Sequence, residues 1–515
     1  MTTGLSLLEH IRSEFYGART HYPLVDGGES ARIYLDSAAS CLMMKPALDA
    51  SLQFLDHYAN THSNVHRSAH ISNGMYQWAH NQVLEFLDAD PDIYTCIFLG
   101  SGSTAATNRV ARILRAARPN KPGALVSLME HHSNDLPHRH IHEFVAHILC
   151  EGSGASISTI SLEDLERGFS EHPDQINYVA VTAASNVTGI VNPIYDVAKI
   201  AHDNDALVVV DASQILAHKP FRMTPPSGDA GDALDVVVFS GHKVYAPGSP
   251  GVLVIRKTLL DRVAPVELGG GMVERVFQSE FVVSPTLPDR EEAGTPNIFG
   301  AVNLAFSLQV LSRIGMETIE EHEQRLIRTL FKGLTAIAGL TIYGDNDLTR
   351  YPRTATIAFN LKNVDHGLLA AILNDYFNIA VRNECFCAHP YVREMIIQQL
   401  WDADPNLDDQ QIEAKKGMVR ASFALNNDVE DVHRLLAAVS EIASNKAYFL
   451  SQYEVGEDLV YRHRTAANEW TTYFSPENAL NSALQEHSVT SLTEQKDSRL
   501  KTGALSQQCS VVMDL

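Results

Sequence analysis

Six apolar runs of strand length punctuate the first half of the chain: YTCIFLG (94–100), GALVSL (123–128), INYVAVT (176–182), ALVVVD (206–211), DVVVFS (235–240) and GVLVIR (251–256). Each is nearly continuous in valine, isoleucine and leucine, the pattern of a strand covered on both faces and not of one with a wet side. The intervening segments read as long enough for crossover helices, so an α/β fold on a parallel sheet is predicted. In such a sheet the carboxyl ends of successive strands line one edge, where ligands bind.

From about residue 305 the pattern changes. LAFSLQVLSRIGMETIEEHEQRLIRTLFKGL reads as one long helical stretch, followed by the strand-like TATIAFNL and NIAVRNE and a helix near DVEDVHRLLAAVSEIA. A smaller α+β domain accounts for this region. The expected organisation is an N-terminal helical segment (1–30) belonging to the smaller domain, a large α/β domain (31–304), the small domain (305–447), and an extension (448–515), partly helical or mobile, with a polar end. A chain of 515 residues has room for these units around a substantial core.

The formal net charge of −22 speaks against a dedicated nucleic-acid surface, which needs clustered lysine and arginine. No uninterrupted apolar segment is long enough to cross a bilayer. The opening MTTGLSLLEHIRSEF lacks the basic region, apolar block and small-residue cleavage site of a secretory signal. Six scattered cysteines form no disulfide framework. The expected location is cytoplasmic, with thiols reduced.

Within VVFSGHKVYAPGSPGVLVIRK (237–257), Lys243 stands in a tight polar turn between two apolar runs, where a surface lysine is out of place. Asp211 closes an earlier run, so both residues fall at the ligand-binding edge. A lysine amine condenses with a carbonyl to a Schiff base, and pyridoxal phosphate also needs an acidic partner for its ring nitrogen. Taken singly, Asp211 reads as well as a helix cap and Lys243 as a turn residue. FLGSGSTAATNRVARIL reads as strand, hydroxyl-rich turn and helix, so Ser103 and Thr104 with the helix-start amides suit a dianion. Ser240 and His242, flanking Lys243, are placed to donate to the same phosphate. In MEHHSNDLP a histidine at a strand end suits stacking on a planar ring.

In this order YLDSAAS, GSGST, MEHHSND, TAASNVTG, DASQ, FSGHK, EAGTPN and VRASFALNN resemble the class V aminotransferase group of fold-type I pyridoxal-phosphate enzymes, and among them cysteine desulfurases and selenocysteine lyases. The resemblance spans roughly residues 30 to 445. It implies a large, mainly parallel seven-stranded sheet domain with a smaller α+β domain, pyridoxal 5'-phosphate as cofactor, an amino-acid substrate, and a homodimer with shared active sites. Residue by residue, it makes Lys243 the Schiff-base lysine, Asp211 the partner of the pyridine nitrogen and Gln214 a contact of the phenolic oxygen. His131 stacks on the ring, and Asn186 lies beside cofactor and substrate. Ser103, Thr104, Ser240 and His242 fall at phosphate positions, and Thr295 falls where such dimers reach into the neighbouring site. Arg420 matches the arginine that grips the substrate carboxylate.

The same resemblance puts the nucleophilic cysteine of a desulfurase at Cys387, in AVRNECFCAHP, with a sulfur acceptor protein as partner. The family's loop usually carries a glycine after the arginine and basic or histidine residues before the cysteine; here stand Asn383, Glu384, Cys385 and Phe386. Cys385, Cys387 and His389 alternate as on one strand face, but no companion pair of ligands is evident; His62, His66 and His70 have one-face helical spacing, and the resemblance, through the VHR segment, implies an active-site wall, so no metal is expected. The leading expectation is conversion of L-cysteine to alanine with sulfur left on Cys387. Alternatives are C–S lysis or another β- or γ-elimination, a specialised biosynthetic step, and a non-catalytic sulfur-relay scaffold.

Overall fold

The computed structural model describes residues 2–485 except 262, 457, 459 and 466–469. Seven strands form the central sheet: β1 (Tyr94–Leu99), β2 (Gly123–Ser127), β3 (Phe144–Ile148), β4 (Ile176–Thr182), β5 (Leu207–Asp211), β6 (Val236–Ser240) and β7 (Gly251–Arg256). Their order across the sheet is β1-β7-β6-β5-β4-β2-β3. Alternate residues of each strand enter different cores. Val179 and Val181 join one layer with Val208, Val210 and Phe239, while Tyr178 and Ala180 join the other with Val209 and Val238. Burial on both faces is the reason for the continuous apolar runs, at roughly 1.5–3 kcal/mol per fully buried aliphatic side chain.

Two features depart from the sequence reading. β7 runs antiparallel to both β6 and β1, whereas the other pairs in the sheet are parallel. The cause is length: only residues 241–250 join β6 to β7, too few for a crossover helix, so the chain turns straight back. That short return carries Lys243. β3 has no counterpart among the six apolar runs, because it is a half-buried edge strand whose sequence FVAHI includes a histidine.

The stretch read as one long helix is two, α3 (Ile298–Ile314) and α4 (Met316–Leu334), bent by 79°. Two helices, α1 (Arg67–Phe86) and α2 (Gly102–Ala117), precede them in the chain; the break between α3 and α4 falls at Gly315, whose φ of 90° and ψ of 123° suit a residue without a β-carbon. No single described helix is long and apolar enough to cross a membrane.

The second sheet is antiparallel, with β8 (Leu340–Tyr343), β9 (Thr356–Leu361), β11 (Met418–Ser422) and β10 (Arg382–Glu384) in that spatial order. Its core takes in α4, α5 (Val429–Ser444), and Ile33 and Leu35 from near the start of the chain. The N-terminal segment engages both parts: Leu8, Ile11 and Phe15 join the core of the large sheet, and Arg12 and Arg19 pair with Asp428 and Asp431 at the start of α5. Met1–Arg462 form one compact unit and His463–Leu515 a second. The described part of the second unit includes a helical stretch, 476–485. Much of the expected extension, from 486 onward, lies outside the described residues.

Candidate active site

A cleft of about 490 Å³ opens at the carboxyl ends of the strands. Of the residues singled out from sequence, Lys243, His131, Asn186, Ser103, Thr104, Ser240, His242, Arg420 and Cys387 line it together. Lys243 ends a 3-10 turn directly after β6, and its carbonyl is met by the Cys41 thiol at 3.1 Å. Among the described residues the Lys243 amine makes no hydrogen bond or ion pair. Burial lowers its pKa below the ordinary value, with Asp211 pulling the other way. A buried amine with no fixed partner is disposed to react with a carbonyl.

Asp211, buried at the end of β5, does not line the cleft directly. Its Oδ1 accepts from the Ser213 amide at 2.9 Å, while Oδ2 takes no hydrogen bond among the described residues. Gln214 is also buried and donates to the Ala38 carbonyl at 2.7 Å. Thr295 stays outside the cleft on an exposed segment, where Asn60 donates to its hydroxyl at 3.1 Å.

The N-terminus of α2 gathers the hydroxyls. The Ser103 amide donates to Ser240 Oγ at 2.8 Å, Ser240 Oγ donates to Ser103 Oγ at 3.1 Å, and the hydroxyls of Thr104 and Ser133 lie 2.7 Å apart. His242 Nδ1 is 3.2 Å from Ser40 Oγ. Gly102, at φ 59°, leaves a hollow in which a β-carbon would come within 2.7 Å of Ser240 Oγ. A helix start ringed with hydroxyls, together with this hollow, fits a phosphate dianion.

His131 accepts from the Ser133 amide at 3.1 Å, and burial with the nearby Lys243 lowers its pKa to about 3, so the ring is neutral. Arg420, with only 3 % of its side chain exposed, donates to the Asn186 carbonyl at 2.9 Å and to Asp36 Oδ1 at 2.9 Å. The Phe386 ring covers its guanidinium at 4.7 Å.

Cys387 sits in a turn closed by the Ala388 amide donating to the Cys385 carbonyl at 2.9 Å, and both central residues, Phe386 and Cys387, have positive φ (51° and 56°). The turn sends Cys385 into the core, with its thiol 3.8 Å from the Lys416 carbonyl, and leaves Cys387 exposed. Cys385, Cys387 and His389 therefore do not share a strand face: alternation assumes extended backbone, and His389 already begins a helix. Two contacts fasten the turn, from the His132 amide to the Cys387 carbonyl and from Asn186 Nδ2 to the Phe386 carbonyl, both 2.7 Å. The one-face reading of His62, His66 and His70 also fails. α1 starts only at Arg67, with His66 as its cap accepting from the Ala69 amide, and His62 lies before it against the Gly294 carbonyl. Among the described residues no group of three or more His, Cys, Asp or Glu is arranged to hold a metal ion.

Four participants escaped the sequence reading. Asp36 and Arg382 stand beside Arg420, and Phe386 roofs it. Glu130, next to His131 in the chain, is buried and accepts from the Ser127 hydroxyl, Asn134 Nδ2 and the Thr182 amide; burial, with Asp211 adding to it, pushes its pKa up to about 8. YLDSAAS and MEHHSND pointed to the segments that carry Asp36 and Glu130, but nothing in a sequence separates a buried acid from a solvated one.

A lysine in the return between strands, an acid on the adjacent strand end and a helix N-terminus ringed with hydroxyls together define a fold-type I pyridoxal-phosphate site. The sequence profile of the family described as aminotransferase class-V matches residues 33–435, and the chain belongs to that family. It is 31% identical over 419 residues to a cysteine desulfurase of Escherichia coli, covering 79% of this chain and 93% of that protein. A probable cysteine desulfurase of Halalkalibacterium halodurans is 31% identical over 438 residues, 83% of this chain and 97% of the other. Among solved structures, the apo cysteine desulfurase of Thermococcus onnurineus superposes with a TM-score of 0.69 at 28% identity, over 80% of this chain and 95% of that one. A cysteine desulfurase of Escherichia coli gives 0.67 at 26%, over 85% and 98%. The protein is a pyridoxal-phosphate-dependent enzyme.

Proposed function

We propose that the protein is a cysteine desulfurase, converting L-cysteine to alanine and leaving the sulfur as a persulfide on Cys387. The observation that carries this is a conjunction: Cys387 is the exposed member of the five described cysteines, and it shares one cleft with Lys243 and Arg420. The names of the similar proteins support the same reading.

Lys243 would hold the cofactor covalently and Asp211, through its free Oδ2, would face the ring nitrogen. Gln214 would contact the phenolic oxygen, His131 would cover the ring, and Ser103, Thr104, Ser240 and His242 would hold the phosphate. When bound, pyridoxal phosphate supplies an electron sink for the bonds at the substrate Cα. The chain does the rest. Arg420 takes the substrate carboxylate, Asn186 holds both Arg420 and the Cys387 turn, and the released Lys243 amine moves the Cα proton. The Cys387 thiolate attacks the substrate sulfur; the S–S bond forms as the Cβ–S bond breaks, and Cβ is protonated to give alanine. One cysteine and one enzyme thiol thus become one alanine and one enzyme persulfide, which an acceptor protein then discharges. The working form is a homodimer, with Thr295 of each chain serving the other's cleft; its exposed position outside its own cleft supports this.

Mass spectrometry of the peptide carrying Cys387, after incubation with L-cysteine, tests the reading. A gain of one sulfur is expected, and Cys387→Ser should lose alanine formation while still binding L-cysteine. Full turnover by Cys387→Ser would instead establish an elimination, in which the electron sink suffices and no protein thiol takes part.

A further inference from the structure

Arg382 and Arg420 are direct partners across the antiparallel pair β10 and β11. Like charges set opposite one another on a sheet repel, and this pair is tolerated because a third residue comes between. Asp36 is aligned with Ser422 by an isolated parallel bridge that brings its carboxylate to the two arginines. Its Oδ1 lies 2.9 Å from Arg420 Nη2 and its Oδ2 lies 3.8 Å from Arg382 Nη1. One carboxylate thus answers two guanidiniums and leaves a single positive charge on this wall of the cleft. Arg420 is fully committed in position, yet its Nε is buried with no hydrogen-bond partner. Arg382 reaches the same cleft with 52 % of its side chain exposed.

We propose that Asp36 is the specificity-determining residue of the carboxylate subsite: by cancelling one of two guanidiniums it matches the cleft to amino acids with a single carboxylate and turns away those whose side chain carries a second. This rests on the reading of Arg420 as the group that takes the substrate carboxylate. The excess charge, and not the number of arginines, decides. Freed of Asp36, Arg382 becomes an uncompensated cation within reach of a side-chain anion, and a unit charge in a partly desolvated cleft shifts relative affinity by about tenfold or more.

The test is a titration of the holoenzyme with L-alanine and with L-aspartate, followed by the absorbance of the bound cofactor. Asp36→Asn keeps size and an oxygen acceptor, and is expected to shift the affinity ratio toward L-aspartate by about tenfold. Arg382→Gln should move the ratio the other way, and the double variant, which again has one net positive charge, should return close to the wild type. If Asp36 merely props Arg420 in place, Asp36→Asn weakens both amino acids equally, and an unmoved ratio overturns the proposal. Should Asp36→Asn fail to fold, an unmoved ratio in Arg382→Gln does the same. A wild-type enzyme blind to both amino acids would remove the Arg420 reading itself, a different failure from binding with an unmoved ratio.

Discussion

Lys243 shows what burial does to a single group. Its amine is held in a cleft without a hydrogen-bonded counter-charge, and its pKa falls below 10.5 because desolvation penalises the charged form. In the cofactor-free protein the sign follows directly. The folded state binds the proton less readily than the unfolded chain, so the penalty is fully present below the lowered pKa and disappears as pH rises to 10.5. Lys243→Met should therefore melt above the cofactor-free wild type at pH 7, by an equivalent of about 1 kcal/mol, with the gap closing as the pH is raised. Circular dichroism melts across that range decide it, and a gap independent of pH would point to packing instead of charge. Stability is surrendered here for a reactive amine. The conspicuous position of Lys243 between two apolar runs was legible in sequence, whereas its lack of a partner was not, because that depends on side chains from segments far apart in the chain.

At the scale of elements, the turn that presents Cys387 is the least ordinary backbone in the site. Glu384, Phe386 and Cys387 all have positive φ, at 86°, 51° and 56°. Residues with a β-carbon are strained there. Glu384→Gly should raise stability to urea by about 1 kcal/mol or less, since relief of strain is partly offset by a more flexible unfolded chain. It should also speed alkylation of Cys387 as the turn loosens. Slower alkylation would show that glutamate itself keeps the turn open. Gly315 illustrates the opposite case, a residue that suits its backbone. Helical periodicity continues through it, which is why α3 and α4 read as one helix, and only packing against two different cores makes the bend. The antiparallel β7 was likewise hidden until the ten residues before it were counted as too short for a crossover, although its apolar composition was plain.

For the whole molecule, every residue lining the cleft lies between Ala38 and Arg420, inside the unit Met1–Arg462. A chain ending at Arg462 should keep the bound-cofactor absorbance and, by light scattering, the same number of chains per particle as the full-length protein. Loss of the cofactor on truncation would assign residues 463–515 a part in the site. The sequence by itself determined six of the seven strands of the large sheet, because strands buried on both faces must be apolar throughout, and with them the edge that carries Asp211 and Lys243, but not the direction of β7 or the half-buried β3. It also determined the family, through short motifs whose order is improbable by chance. Tertiary structure alone decided which groups are compensated. Asp36 reaches Arg420 across 384 positions of chain, and Asn186 reaches Phe386 across 200. A carboxylate in a sequence has no visible partner, and its effect depends on distance and local dielectric, which exist only once the chain has folded.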